Sequence, residues 1–243
     1  MHKEYKRIVP NADTAVLFIH GIIGTPNHFT DFVRLVPDEI SVYNVLLDGH
    51  GKDVATFAKT SMKKWEAQIA AAVDELAQTH QTISIVAHSM GCLLAVEQAI
   101  RHPKVRKLFL LAIPLKLFLR PQFFTTSLKV YGNKIRPDDA QALAAKRCCG
   151  IEHHKNPLRY IGWIPRFTEL FKKIRKTRRL LPSLSVPCRA YQSANDEMVS
   201  RRSEQLLQKN THILVVTLKN STHYYYDKDE LAFLVTEFTT FIQ

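Results

Sequence analysis

The stretch SIVAHSMGCLL, residues 84–94, sets a serine where an apolar run gives way to a helix-like pattern. A serine on a sharp strand-to-helix turn takes strained backbone angles and presents its hydroxyl above the sheet. The residues two before and two after it must then be small, because strand and helix nearly touch. Ala87 and Gly91 meet that requirement around Ser89. The same turn puts the amide of Met90 at a helix N-terminus, free to donate to a developing oxyanion. A hydroxyl is a poor nucleophile until a base takes its proton, and the base needs a carboxylate to fix its tautomer and stabilise its charged form. The chemistry such a serine could do is acyl transfer, and its partners are to be sought among eleven histidines and the acidic residues.

The elements that would position these groups are legible from periodicity. Thr14–Ile19 (TAVLFI) reads as a buried strand closed by Gly21 and Gly24, with a short helix from Pro26 to Val36. Ile40–Leu47 reads as a second strand ended by DGHG, and Thr82–Ala87 and Val105–Ile113 as a third and fourth. Between Ser61 and His80, Met62, Trp65, Ile69, Val73 and Leu76 recur at three- and four-residue intervals, the pattern of an amphipathic helix. A helix over Met90–Arg101 follows the serine. The order returns further on, with strands at Val186–Gln192 and Ile213–Leu218 and helices at Ser200–Gln208 and Lys228–Ile242. Buried strands alternating with helices predict an α/β fold whose mostly parallel sheet is covered on both faces, with reactive residues at the carboxyl ends of the strands.

In that context HGIIGTP at 20–26, DGHG at 48–51, AHSMG at 87–91, ANDEMV at 194–199 and STHYYYD at 221–227 give the chain a family. It resembles the α/β-hydrolase superfamily, and within it the small bacterial serine carboxylesterases and monoacylglycerol-lipase-like enzymes. It departs from them at Ala87, where glycine is usual, and at Asp48, where proline is frequent. The resemblance implies the chain order Ser, Asp, His, and so a triad of Ser89, Asp196 and His223. Glu197 and Asp227 are the fallback acids, each otherwise a solvated carboxylate or a helix N-terminal charge. The resemblance further implies an oxyanion hole made by the backbone amides of Ile22 and Met90. His20, His50 and His88 are expected to orient loops through hydrogen bonds. A serine at this turn argues against the dehalogenases and epoxide hydrolases of the superfamily, which place aspartate there.

Composition fits a globular enzyme: 243 residues, 46% hydrophobic, with no secretory signal and no apolar run long enough to span a bilayer, so a cytoplasmic protein is expected. Cys92, Cys148, Cys149 and Cys188 lack the spacing of a zinc site and are expected as thiols; neither a metal nor another cofactor is required. The net charge of +12 is concentrated. Residues 114–183 hold 16 Lys and Arg against 4 Asp and Glu, and the remainder of the chain holds 18 of each. That partition, in the position where the family inserts a cap, predicts a hydrolase core of residues 1–113 and 184–243 and a basic, mainly helical cap insertion at 114–183. In the cap, Phe167, Leu170, Phe171 and Ile174 are expected on one helical face opposite a basic one.

The basic face fits a solvated surface, weak contact with an anionic membrane surface, or acidic substrates, with nucleic acid disfavoured. The function expected is hydrolysis of short to medium acyl esters, monoacylglycerols among them, through an acyl-enzyme on Ser89. An acyl thioesterase is the alternative, since the same residues serve a sulfur leaving group. A non-catalytic binding module on the same fold is the reading least favoured, because all three triad residues are present in order.

Overall fold

Runs of aliphatic residues with a two-residue side-chain alternation can be buried on both sides only if layers lie above and below them. The computed structural model, which describes residues 2–243, meets that demand with a seven-stranded sheet in the order β1-β3-β2-β4-β5-β6-β7. The strands are β1 (Tyr5–Arg7), β2 (Thr14–Ile19), β3 (Ser41–Val45), β4 (Thr82–His88), β5 (Val105–Leu111), β6 (Cys188–Ser193) and β7 (Ile213–Leu218). All neighbours run parallel except β1, an edge strand antiparallel to β3. That strand is absent from the sequence-based reading: YKR is three residues long and mostly exposed, so it carries no hydrophobic pattern.

The helices are α1 (Thr30–Val33), α2 (Val54–Ala58), α3 (Met62–Thr79), α4 (Met90–Arg101), α5 (Pro121–Tyr131), α6 (Ala140–Cys148), α7 (Ile164–Leu180), α8 (Arg202–Leu207) and α9 (Lys228–Ile242). The helix expected over 26–36 is instead a 3-10 turn, Pro26–Phe29, running into the four residues of α1. Elsewhere the expected elements form with ends displaced by one or two residues.

Alternation along β2 divides the core. Val16 and Phe18 join Phe29, Phe32, Leu234 and Phe238 on the face covered by α1 and α9. Ala15, Leu17 and Ile19 face the opposite layer with Trp65, Leu93 and Ile174 from α3, α4 and α7. Ser61 starts α3 by accepting the amide of Lys64 at 3.2 Å, and Asp53 starts α2 by accepting that of Thr56 at 2.8 Å. The four cysteines are free thiols. No helix among the described residues is long and apolar enough to cross a membrane.

Between β5 and β6 the chain gives no strand to the sheet. It supplies α5, α6, a 3-10 turn at Pro157–Trp163 and α7, which lie over the loops at the carboxyl ends of β2 and β3. Gly150 donates its amide to Ile23 at 3.0 Å, Glu152 donates to Lys52 at 2.9 Å, and the Trp163 indole donates to Val54 at 3.1 Å. A Cβ on Gly150 would stand 1.7 Å from Thr25 Cγ2, so only glycine allows this approach.

Helix α7 departs from the expected amphipathic pattern in two places. Leu170 and Ile174 face the core, but Phe171 is half-exposed, and Lys173 is buried. The Lys173 ammonium pairs with Glu97 of α4 and with Glu66 of α3, the latter at 2.6 Å, while Lys176 and Arg101 reach Glu97 at 2.8 and 3.0 Å. Burial opposes the charge of Glu97, and the hydrogen bonds from Lys173 and Lys176 outweigh it, holding this carboxyl below its ordinary range. Lys173 follows the helical period of Leu170 and Thr177, so its place is set by register. No rule based on hydrophobicity would have put a lysine there.

Candidate active site

Ser89 sits between the end of β4 and the start of α4 with φ 52° and ψ −123°. This left-handed backbone is strained for a residue with a side chain, at a cost of about 1–3 kcal/mol. Neighbouring packing holds it there. The Ser89 amide donates to Leu111 of β5 at 2.9 Å, and Ala87 is fully buried. A Cβ on Gly91 would lie 2.1 Å from the carbonyl oxygen of Ile19 and 2.7 Å from that of His20. The close approach that demands glycine is thus between α4 and the end of the neighbouring strand β2, not between α4 and its own strand.

The three residues predicted from the sequence come together. His223, in the loop after β7, has Nε2 3.1 Å from Ser89 Oγ, and its Nδ1–H donates to Asp196 Oδ2 at 2.8 Å. The other oxygen of Asp196, which lies just beyond β6, accepts the amides of Met198 at 2.8 Å and Val199 at 2.7 Å, so the carboxylate is fixed from both sides. Ser89, Asp196 and His223 are all buried. Burial alone would depress the basicity of His223. The charge of Asp196, its hydrogen bond and the charge of Glu197 overcome that and raise the pKa above 6.5.

The fallback acids take other places. Glu197 does not reach the imidazole; its Oε2 accepts the backbone N–H of His223 at 3.1 Å. Asp227 accepts the amide of Asp229 at 3.2 Å and caps α9.

The loop 20–24 faces the same serine: a Cβ on Gly21 would be 2.8 Å from Ser89 Cβ. Two of its amides have partners. Gly24 donates to Gly21 at 3.1 Å, and Ile23, at φ 54°, donates to His50 Nε2 at 3.1 Å. The amide of Ile22 has no acceptor among the described residues, and the amide of Met90, first in α4, has no intrahelical one.

Histidines set this loop. His20 donates from Nδ1 to Gly21 at 2.8 Å and accepts the Leu47 amide on Nε2 at 3.1 Å. His88 donates from Nε2 to the carbonyl of His223 at 3.0 Å and stacks on His28, centroids 3.7 Å apart. Burial pushes His28 down to about 3 and His50 to about 4, and lowers His20 and His88 as well. Near neutral pH these four rings are therefore uncharged, and the proton-binding ring of the cluster is His223. The reading of His20, His50 and His88 as loop-orienting groups agrees with these bonds. His28 was not singled out in the sequence, because its partners, His88 and the Tyr226 hydroxyl at 3.1 Å, are distant in the chain.

Beside the triad lies a cavity of ≈ 260 Å³. Phe123, Val130, Trp163 and Phe167 supply apolar walls, and Ile23, Glu197 and Tyr224 form the end towards the serine. Each of these last three is the chain neighbour of a residue predicted for the site, so the cavity abuts Ile22, Asp196 and His223 without being lined by them. Glu197 is its one carboxylate.

A seven-stranded sheet with one antiparallel edge, a strained serine at the β4–α4 turn and an Asp–His pair from the two loops beyond it are features of one family. The sequence profile of the Alpha/beta hydrolase family matches residues 16–234, and the chain belongs to that family. Among solved structures it is similar to the metagenome-derived lipolytic enzymes LipS and LipT, at 20% identity and TM-score 0.74 over 99% of this chain and 97% of that one. It is also similar to a monoacylglycerol lipase of Paleococcus ferrophilus (16%, TM-score 0.65, 98% of each chain). A thioesterase domain of the curacin biosynthetic pathway shares the fold (18%, TM-score 0.61, 97% of this chain and 98% of that one). No curated protein matches this chain in sequence.

Proposed function

We propose that this protein is a serine carboxylesterase that hydrolyses short to medium acyl esters, monoacylglycerols among them, through an acyl-enzyme on Ser89. The observation that carries the reading is the continuous hydrogen-bond chain from Asp196 through His223 to Ser89, at 2.8 and 3.1 Å, ending on a serine held at φ 52°. In the first step Ser89 Oγ attacks the ester carbonyl carbon while His223 Nε2 takes its proton. The amides of Ile22 and Met90 receive the carbonyl oxygen as it becomes an oxyanion. Collapse of the tetrahedral species breaks the bond to the alcohol, which leaves with the proton from His223. Water then repeats the sequence on the acyl-enzyme and releases the acid. Asp196 stabilises the imidazolium in both halves. The helices between β5 and β6 act as a cap, and the cavity beneath them, with its Phe, Val and Trp walls, suits an aliphatic acyl chain.

The test is hydrolysis of a chain-length series of p-nitrophenyl esters by the wild type and by Ser89→Ala. Loss of about 10⁴-fold or more in kcat with the variant, and a maximum at an intermediate chain length in the wild type, is the expected result. Equal activity in the two proteins would remove Ser89 as nucleophile. A folded wild type that cleaves acyl thioesters but no oxygen ester would replace the esterase with a thioesterase.

A further inference from the structure

Two adjoining grooves on the outer side of the inserted segment are lined by cations. One holds Lys172, Arg175, Lys176 and Arg179; the other holds Lys116, Phe171, Arg175 and Arg178, and neither contains a carboxylate. They share Arg175, so the two form one basic surface. Lys173 and Lys176 have their charge matched by Glu97 and Glu66. Lys172, Arg175 and Arg179 have no such acid partner among the described residues. They recur at three and four residues along α7, which sets them on one face.

Apolar side chains border this surface. Of the fifteen large hydrophobic residues exposed among the described residues, ten lie between 114 and 183, although that segment is under a third of the chain. Ile164 and Phe171, exposed by 62% and 49%, fall on the same helical stripe of α7 as Arg175. Phe118 and Leu119 follow directly on Lys116 and Leu117 of the second groove and are exposed by 64% and 46%. Helix α5, which follows at once in the chain, exposes Phe124 and Leu128, while its Phe123 and Val130 face the cavity. Phe167, one turn before Phe171, lines the same cavity.

We infer that this surface docks on an anionic lipid bilayer, with the cations of α7 at the phosphate level and the exposed Phe, Leu and Ile side chains entering the headgroup boundary. A solvated basic face would need no apolar border. A nucleic-acid groove would use aromatics as stacking platforms for bases, whereas six of the ten exposed residues of the segment are aliphatic. Docked in this way, α5, which walls the cavity with Phe123 and Val130, turns Phe124 and Leu128 towards lipid. The binding itself is independent of the esterase reading.

The experiment is co-flotation of the Ser89→Ala protein, which leaves the lipid intact, with phosphatidylcholine vesicles and with vesicles containing phosphatidylglycerol. Binding to the anionic vesicles at low salt, lost as ionic strength rises, is expected. The triple variant Lys172→Ala/Arg175→Ala/Arg179→Ala should bind them ~100-fold more weakly, from about fivefold per cation near the surface. A control removing the same charge from the core surface, Lys3→Ala/Arg34→Ala/Lys228→Ala, should bind as the parent does. Absence of binding to anionic vesicles at low salt overturns the proposal, as does equal weakening by the two triple variants, which would mean attraction by net charge alone. Capture of a duplex or single-stranded oligonucleotide without vesicle binding would assign the surface to nucleic acid and overturn it too. Circular dichroism of both triple variants checks that they are folded.

Discussion

Glu197 brings a second negative charge to His223 without touching its ring. The bond it accepts is from the main chain of His223, and its charge adds to that of Asp196 in favouring the imidazolium. Removing that charge lowers the His223 pKa, and the general-base role proposed for His223 needs the neutral ring. The acid limb of kcat/KM should therefore sit above pH 6.5 in the wild type and move to lower pH in Glu197→Gln, as a pH profile with a soluble ester would show. An unmoved limb would mean that Glu197 only holds the loop. Ser89 and His223 were legible because strand ends and glycine spacing mark them. The role of Glu197 was hidden, because its partner is a backbone amide 26 residues later, which no side-chain pattern records.

At the scale of elements, the decisive contact is α4 against the end of β2. Gly91 was legible as small, but the wall it meets is made of the Ile19 and His20 carbonyls, fixed main-chain atoms that cannot rotate away. Gly91→Ala should cost about 3 kcal/mol or more, read from the urea midpoint, and should displace the Ser89 turn enough to lower kcat well before the protein unfolds. A variant with wild-type stability would show that the turn can slide along β2. The six strands other than β1 and the long helices were legible from periodicity. Between β5 and β6 only α7 carried a readable period, and even there the buried Lys173 and the exposed Phe171 reversed what hydrophobicity suggests, because three carboxylate contacts join Leu170 and Ile174 in fixing that helix.

For the whole molecule, the buried uncharged histidines set the response to acid. The unfolded chain protonates His28 and His50 near 6.5, while the folded chain resists to about 3 and about 4. Between those limits the unfolded state binds more protons, so stability falls as pH falls, by about 1.4 kcal/mol per pH unit for each ring. His223 works in the opposite sense but above 6.5, where its raised pKa gives up stability as pH rises. Urea unfolding at pH 6.5 and at pH 5 should show a marked loss at the lower value, and His28→Asn should lessen the slope. A flat profile would mean that these rings are protonated in the folded state.

The two long helices over the cavity are held in different ways. Helix α7 is bolted to α3 and α4 through Lys173, whereas α5 has no buried residue and packs chiefly on α6. The cavity therefore has one stiff wall and one compliant wall, and its size is a property of its contents as much as of the protein. A bulky ester should be accommodated by displacement of α5 alone, and the amide protons of residues 122–131 should exchange with solvent long before those of 166–180.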